Sequence, residues 1–264
     1  MGESPWKTVW ITGASSGIGR ELALRIAEMG CTVAASARSV EKLAELEKLH
    51  PNIKPFPLDV EDAAATQAVF TAIETAHGPV DLAILNAGIW QQMIVSDFSA
   101  ARAKRSMSVN YFGVLHAMEP AMAAFVQRGR GHLALVSSVA GYRGLMKGAA
   151  YCPTKAALNS LSEALYPHLL RKGVKLTVIC PGYVKTPMTD VNTFPMPFII
   201  PVEEAVRTII DGLKREKYEI VFPWKMMLLM KTLRAIPHRL FFWLVNIGIN
   251  RAGTGEDPPP AARG

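Results

Sequence analysis

Tyr151 and Lys155 stand four residues apart in Tyr-Cys-Pro-Thr-Lys, at the start of a segment (residues 149–171) whose pattern predicts a helix. That spacing puts both side chains on one helical face. A phenol is a poor proton shuttle near neutrality because its pKa is about 10. A neighbouring ammonium favours the phenolate and lowers that value. So placed, Tyr151 can give a proton to a carbonyl oxygen or take one from a hydroxyl, help worth about 10²- to 10⁴-fold. Ser138, thirteen residues earlier and just after an apolar run, can hydrogen-bond the same oxygen. A bare Tyr-x-x-x-Lys is common in helices, so its meaning depends on what surrounds it.

What surrounds it is a set of loops that all follow short apolar runs. Thr12-Gly13-Ala14-Ser15-Ser16-Gly17-Ile18-Gly19 lies between the first predicted strand and the first predicted helix. Glycines there allow a tight turn and close approach of backbone to a pyrophosphate, which the helix N-terminus attracts. After the second strand comes Ala37-Arg38-Ser39, with no acid to meet an unmodified ribose. Arg38 suits a 2′-phosphate through charge-assisted bonds, Ser39 can add a hydroxyl, and Arg20 adds positive field; NADP(H) is therefore expected over NAD(H). Asp59-Val60 follows the third strand and can reach an adenine ring, although Asp59 would serve equally as a helix cap. Asn86-Ala87-Gly88 follows the fourth, where small residues let the chain pass close to a cofactor.

Strands are predicted at residues 7–12, 32–37, 53–57, 82–85, 132–137, 175–180 and 219–222. Helices are predicted between them at 17–29, 40–50, 63–77, 100–128, 149–171 and 202–214. Short Val-, Ile- and Leu-rich strands alternating with helices imply a parallel sheet covered on both faces. Such a sheet binds ligands at the C-terminal ends of its strands, where all these loops lie.

In this order and context the pieces resemble the short-chain dehydrogenase/reductase family, over about residues 7–190. They are Thr12–Gly19, Asp59, Asn86-Ala87-Gly88, Asn110, Ser138, Tyr151-x-x-x-Lys155 and Pro181-Gly182 followed by Thr186. The resemblance implies an α/β fold: a single-domain Rossmann fold with a doubly wound seven-stranded parallel sheet. It implies a tetrad in which Tyr151 is the acid/base and Lys155 also holds the nicotinamide ribose. Ser138 would stabilise the substrate oxygen, and Asn110 would anchor a water leading to Lys155. It further implies that Pro181, Gly182 and Val184 cover the nicotinamide, with help from the Thr186 hydroxyl. Leu85 stands where many relatives carry a second Asn. A homodimer or homotetramer, formed through the helices at 100–128 and 149–171, is expected from the resemblance alone. So is a lid at residues 189–201, made greasy by Phe194, Met196 and Phe198.

Composition bounds the rest. The chain has 264 residues, half of them hydrophobic and 19% charged, enough for one large domain. Three isolated cysteines make no zinc or CxxC spacing, so no metal is expected, and a cytoplasmic setting is favoured. The N-terminus shows neither a signal peptide nor the myristoylation pattern. Residues 1–222 read as the dinucleotide-binding and catalytic domain, 223–252 as an extension and 253–264 as a disordered tail. Of the net charge of +7, much concentrates in the extension: Lys225, Lys231, Arg234, Arg239 and Arg251, with no acid from Ile220 to Arg251. No nucleic-acid module accompanies it. Its apolar blocks are shorter than the roughly 18 residues of a spanning helix and are broken by Pro237. Residues 224–249 therefore suit a membrane surface, a subunit contact or packing on the core, and the first implies a hydrophobic substrate. The activity expected is interconversion of a carbonyl and an alcohol with NADP(H). Its alternatives are a 3-oxoacyl-thioester reductase, a non-catalytic NADP(H)-sensing protein and a membrane-surface scaffold.

Overall fold

A computed structural model describes residues 4–252; the tail predicted at 253–264 and residues 1–3 lie outside the described residues. Seven parallel strands form one sheet in the order β3-β2-β1-β4-β5-β6-β7. They are β1 Thr8–Thr12, β2 Thr32–Ala37, β3 Ile53–Pro57, β4 Leu82–Leu85, β5 Gly131–Val136, β6 Val174–Pro181 and β7 Glu219–Phe222. Pro55 and Pro57 have no N–H to give a second neighbour, which suits β3 to the edge it occupies.

Alternation along the strands divides the core in two. Val9 and Ile11 of β1 face one cluster, with Leu22 and Ile26 of α1 (Gly17–Glu28) and Val206 and Ile209 of α8 (Val202–Lys214). Trp10 faces the other, with Phe70 of α3 (Ala63–His77), Phe125 of α5 (Gly113–Arg128) and Leu158 of α6 (Cys152–Arg171). Leu43 and Leu46 of α2 (Val40–Leu49) join the first cluster. The strand order reverses between β1 and β4, so the loops leaving their ends part and open a crevice there.

Three elements differ from expectation. The helix predicted over 100–128 is two helices, α4 (Ala100–Met107) and α5, joined by a π-helical turn at Ser108–Phe112. Such turns cluster at functional sites, and this one carries Asn110. Helix α6 starts at Cys152, so Tyr151 precedes its first turn. A short helix, α7 (Pro187–Asp190), opens the lid region. Beyond β7 the extension forms α9 (Trp224–Ala235) and α10 (His238–Ala252). Met226 and Met230 of α9 are buried with Val139, Tyr142, Val178 and Cys180, so that helix packs on the body. Among the described residues no helix is long and apolar enough to cross a membrane.

Candidate active site

A cavity of about 500 Å³ lies over the C-terminal ends of the strands. Its floor is the glycine loop after β1. Gly13 has φ +69°, and a Cβ there would meet Ala87 Cα at 2.8 Å, so only glycine serves. A Cβ on Gly19 would lie 2.3 Å from the Gly13 carbonyl oxygen, so a glycine at this position lets α1 start directly beneath the loop. The Asn86 side-chain amide donates to the carbonyls of Thr12 (3.0 Å) and Gly13 (3.1 Å). Thr12 Oγ1 in return accepts from the backbone of Asn86 (3.0 Å) and Ala87 (3.1 Å). The two sides of the crevice are thus stitched together by groups that leave its surface free.

This loop fits a dinucleotide phosphate. Ser16 makes no side-chain cap on α1, and the first bond to a pre-helical carbonyl runs from Arg20 N–H to Ser16 at 3.2 Å. The first-turn N–H groups and the dipole end are therefore available to an anion. Gly13, Ser15, Ser16, Gly17 and Ile18 line the cavity, as do Asn86, Ala87 and Gly88. So do Arg38, Asp59 and Val60 at one end and Pro181, Gly182, Val184 and Thr186 at the other. Asp59 does not cap α3; Asp62 does, accepting from Ala65 N–H at 2.9 Å. Three expected residues do not line the cavity. Gly19 packs beneath the loop. Ser39 caps α2, accepting from Lys42 N–H (3.3 Å) and donating to Glu41 (2.9 Å), because a serine before a helix is drawn to its free N–H groups. Asn110 is fully buried behind Gly88, with its Oδ1 2.7 Å from Ile89 N–H and its Nδ2 3.2 Å from Thr154 Oγ1.

Tyr151, Lys155 and Ser138 line the same cavity. Lys155 is 3% exposed, and its ammonium donates to the Val136 carbonyl at 2.8 Å. Ser137 Oγ donates to the Lys155 carbonyl at 3.0 Å, so the first turn of α6 is tied twice to the end of β5. Lys155 Nζ lies 5.6 Å from the centre of the Tyr151 ring. A Cβ on Gly88 would sit 3.7 Å from that nitrogen and 3.3 Å from Asn110 Oδ1, so Asn110 and the Lys155 ammonium both border Gly88.

The electrostatics differ from the sequence expectation that Lys155 brings the phenol below its ordinary pKa. Burial holds Tyr151 well above the usual phenol value, and the Ser138 hydroxyl offsets only part of this. Burial also brings Lys155 down, to about 8. The charged form of each group is the one that loses its water. In the protein alone Tyr151 is therefore a proton donor.

Trp90, Asn192 and the α9 wall escaped the sequence reading. The Trp90 ring meets that of Tyr151 edge-on, centres 5.0 Å apart, and its indole N–H donates to Asn192 Oδ1 at 2.9 Å. A tryptophan two residues past Gly88 was the available signal. Of the lid residues expected to be greasy, Phe194 lines the cavity while Met196 and Phe198 do not. Phe198 turns outward, 43% exposed, towards Lys225. Met226, Leu229, Met230 and Leu233 of α9 add to the apolar wall.

Fold, glycine crevice and Ser–Tyr–Lys centre together define a dinucleotide-dependent oxidoreductase, and comparison with known proteins agrees. Residues 7–194 match the family model for short chain dehydrogenases, and the chain belongs to that family. An uncharacterized oxidoreductase of Myxococcus xanthus is 36% identical over 245 residues, 91% of this chain and 97% of that protein. Another from Mycobacterium tuberculosis is 33% identical over 223 residues, 82% of this chain and 88% of that one. A short-chain dehydrogenase structure from Streptomyces avermitilis superposes with a TM-score of 0.78 at 23% identity, covering 96% of this chain and 99% of the other, a likeness of fold.

Proposed function

We propose that this oxidoreductase uses NADP(H) to interconvert a carbonyl and an alcohol on a hydrophobic substrate. One observation carries the reading: Tyr151, Ser138 and Lys155 share a cavity with the apolar side chains of Trp90, Phe194, Met226, Leu229, Met230 and Leu233. The nicotinamide, when bound, supplies or accepts the hydride. Ser138 holds the substrate oxygen by a hydrogen bond. Tyr151 gives its phenolic proton to that oxygen as the carbonyl carbon gains the hydride, and takes it back in the reverse direction. Lys155 steadies the charge left on Tyr151 and directs its proton supply. Arg38, exposed at the cavity end beside Ala37 and without an ion-pair partner among the described residues, favours a cofactor carrying a 2′-phosphate.

The test is a screen of NADPH oxidation against lipophilic ketones and aldehydes beside 3-oxoacyl thioesters, run with the native chain and Tyr151→Phe. Turnover of the lipophilic carbonyls is expected to fall by about 10²-fold or more in the variant while NADPH still binds. Equal turnover by both proteins removes the assignment of Tyr151, and a preference for thioesters replaces the substrate class.

A further inference from the structure

Helix α9 presents apolar side chains to two sides. Met226 and Met230 are buried in the wall of the cavity, whereas Trp224 (65%) and Leu228 (59%) are exposed. Leu229 belongs to both, lining the cavity while 41% exposed, so inner wall and outer surface are continuous. Met188 likewise lines the cavity while 41% exposed. The lid joins this surface through Phe198, whose ring lies 5.9 Å from Lys225 Nζ. On α10, Phe241 is buried with the Arg143 guanidinium 4.3 Å above its ring, while Phe242 (55%) and Trp243 (58%) face solvent. Large exposed side chains concentrated on α9 and α10, with Leu229 and Met188 linking them to the cavity, mark a contact surface.

Charge says what covers it. Lys231 pairs with Glu219 and Arg234 with Glu163. That leaves Lys225 and Arg239 with no acidic partner among the described residues, and no acid lies between Ile220 and Arg251. A second copy docking through a two-fold axis would oppose this patch to itself and bring those cations together. An anionic lipid surface satisfies both features, taking the apolar side chains into its interface and the cations against its headgroups.

We infer that α9, α10 and the outer edge of the lid form a docking surface for an anionic phospholipid bilayer, onto which the cavity opens. The corollary that a lipophilic carbonyl enters from the bilayer rests on the function proposed above; the docking itself does not.

The experiment is flotation of the full chain with vesicles of pure phosphatidylcholine or of equimolar phosphatidylcholine and phosphatidylglycerol. Binding is expected to the mixed vesicles, about tenfold or more above the neutral ones. The pair Phe242→Ser/Trp243→Ser and the pair Lys225→Glu/Arg239→Glu should each reduce it by about tenfold or more. Neither pair touches the cavity, so turnover of a water-soluble aldehyde should be unchanged. The charge pair keeps every apolar side chain and serves if the serine pair fails to fold. Absent flotation of the native chain, or undiminished flotation of the variants, overturns the proposal. So does a shift from dimer to monomer in the serine pair with no loss of vesicle binding, which would make the patch a subunit contact. If no carbonyl compound is reduced but flotation follows the expected pattern, the docking surface stands and the proposed function falls.

Discussion

Tyr151 carries a proton it is reluctant to lose, and Lys155 carries one it holds loosely; both follow from burial. For Lys155 the folded value is depressed from 10.5 to about 8, so the ammonium is present below about pH 8 and is lost as pH rises through it. The positive field that supports proton transfer from Tyr151 goes with it. We expect kcat/KM for NADPH in the reductive direction to fall above about pH 8, and a profile flat to pH 10 would show that Lys155 keeps its proton. Arg38 makes a second prediction at this scale. Arg38→Asp removes a charge-assisted bond and adds repulsion, so NADPH affinity should fall by about 10-fold or more while NADH affinity holds or rises. Titration of both cofactors checks this, and an unchanged preference would mean that the phosphate is held elsewhere. The same residue scale shows a limit of motif reading. Ser39 has the right type for phosphate binding, but its hydroxyl is engaged at the start of α2.

Helix α9 shows what an element can add that its sequence hides. Its methionines at 226 and 230 lie one turn apart and pack between β6 and the turn after β5, closing the cavity as they do so. Met230→Ala should therefore cost about 2–5 kcal/mol through the void it leaves. It should also raise KM for an apolar substrate more than it lowers kcat. Thermal unfolding and steady-state kinetics test the two halves separately; loss of stability with no change in KM would separate α9 from the substrate. The π-helical turn at Ser108–Phe112 works similarly. By interrupting what reads as one helix, it supports a buried Asn110 whose amide braces Ile89 and Thr154 rather than facing the cavity.

At the scale of the whole molecule, the reversal of strand order between β1 and β4 is what brings distant loops to one crevice. Residues 13, 38, 59, 86, 138, 151 and 184 line a single cavity because parallel strands present all their C-terminal ends on one edge. The extension then adds apolar side chains to the wall of that crevice and leaves Trp224, Leu228, Phe242 and Trp243 exposed on its outer surface.

Local rules were enough for the strands, most of the helices, the glycine loop and the Tyr151–Lys155 pair. Short continuous apolar runs, period-3.6 patterns and the conformational demands of glycine act over a few residues, so they are written in the chain itself. Other features depend on contacts between segments far apart in sequence. The Trp90–Asn192 bond spans 102 residues, the protonation states of Tyr151 and Lys155 follow from burial by several elements, and the division of α9 between cavity and surface appears only once it is docked. Desolvation and packing depend on everything that surrounds a side chain, and no stretch of sequence records its surroundings.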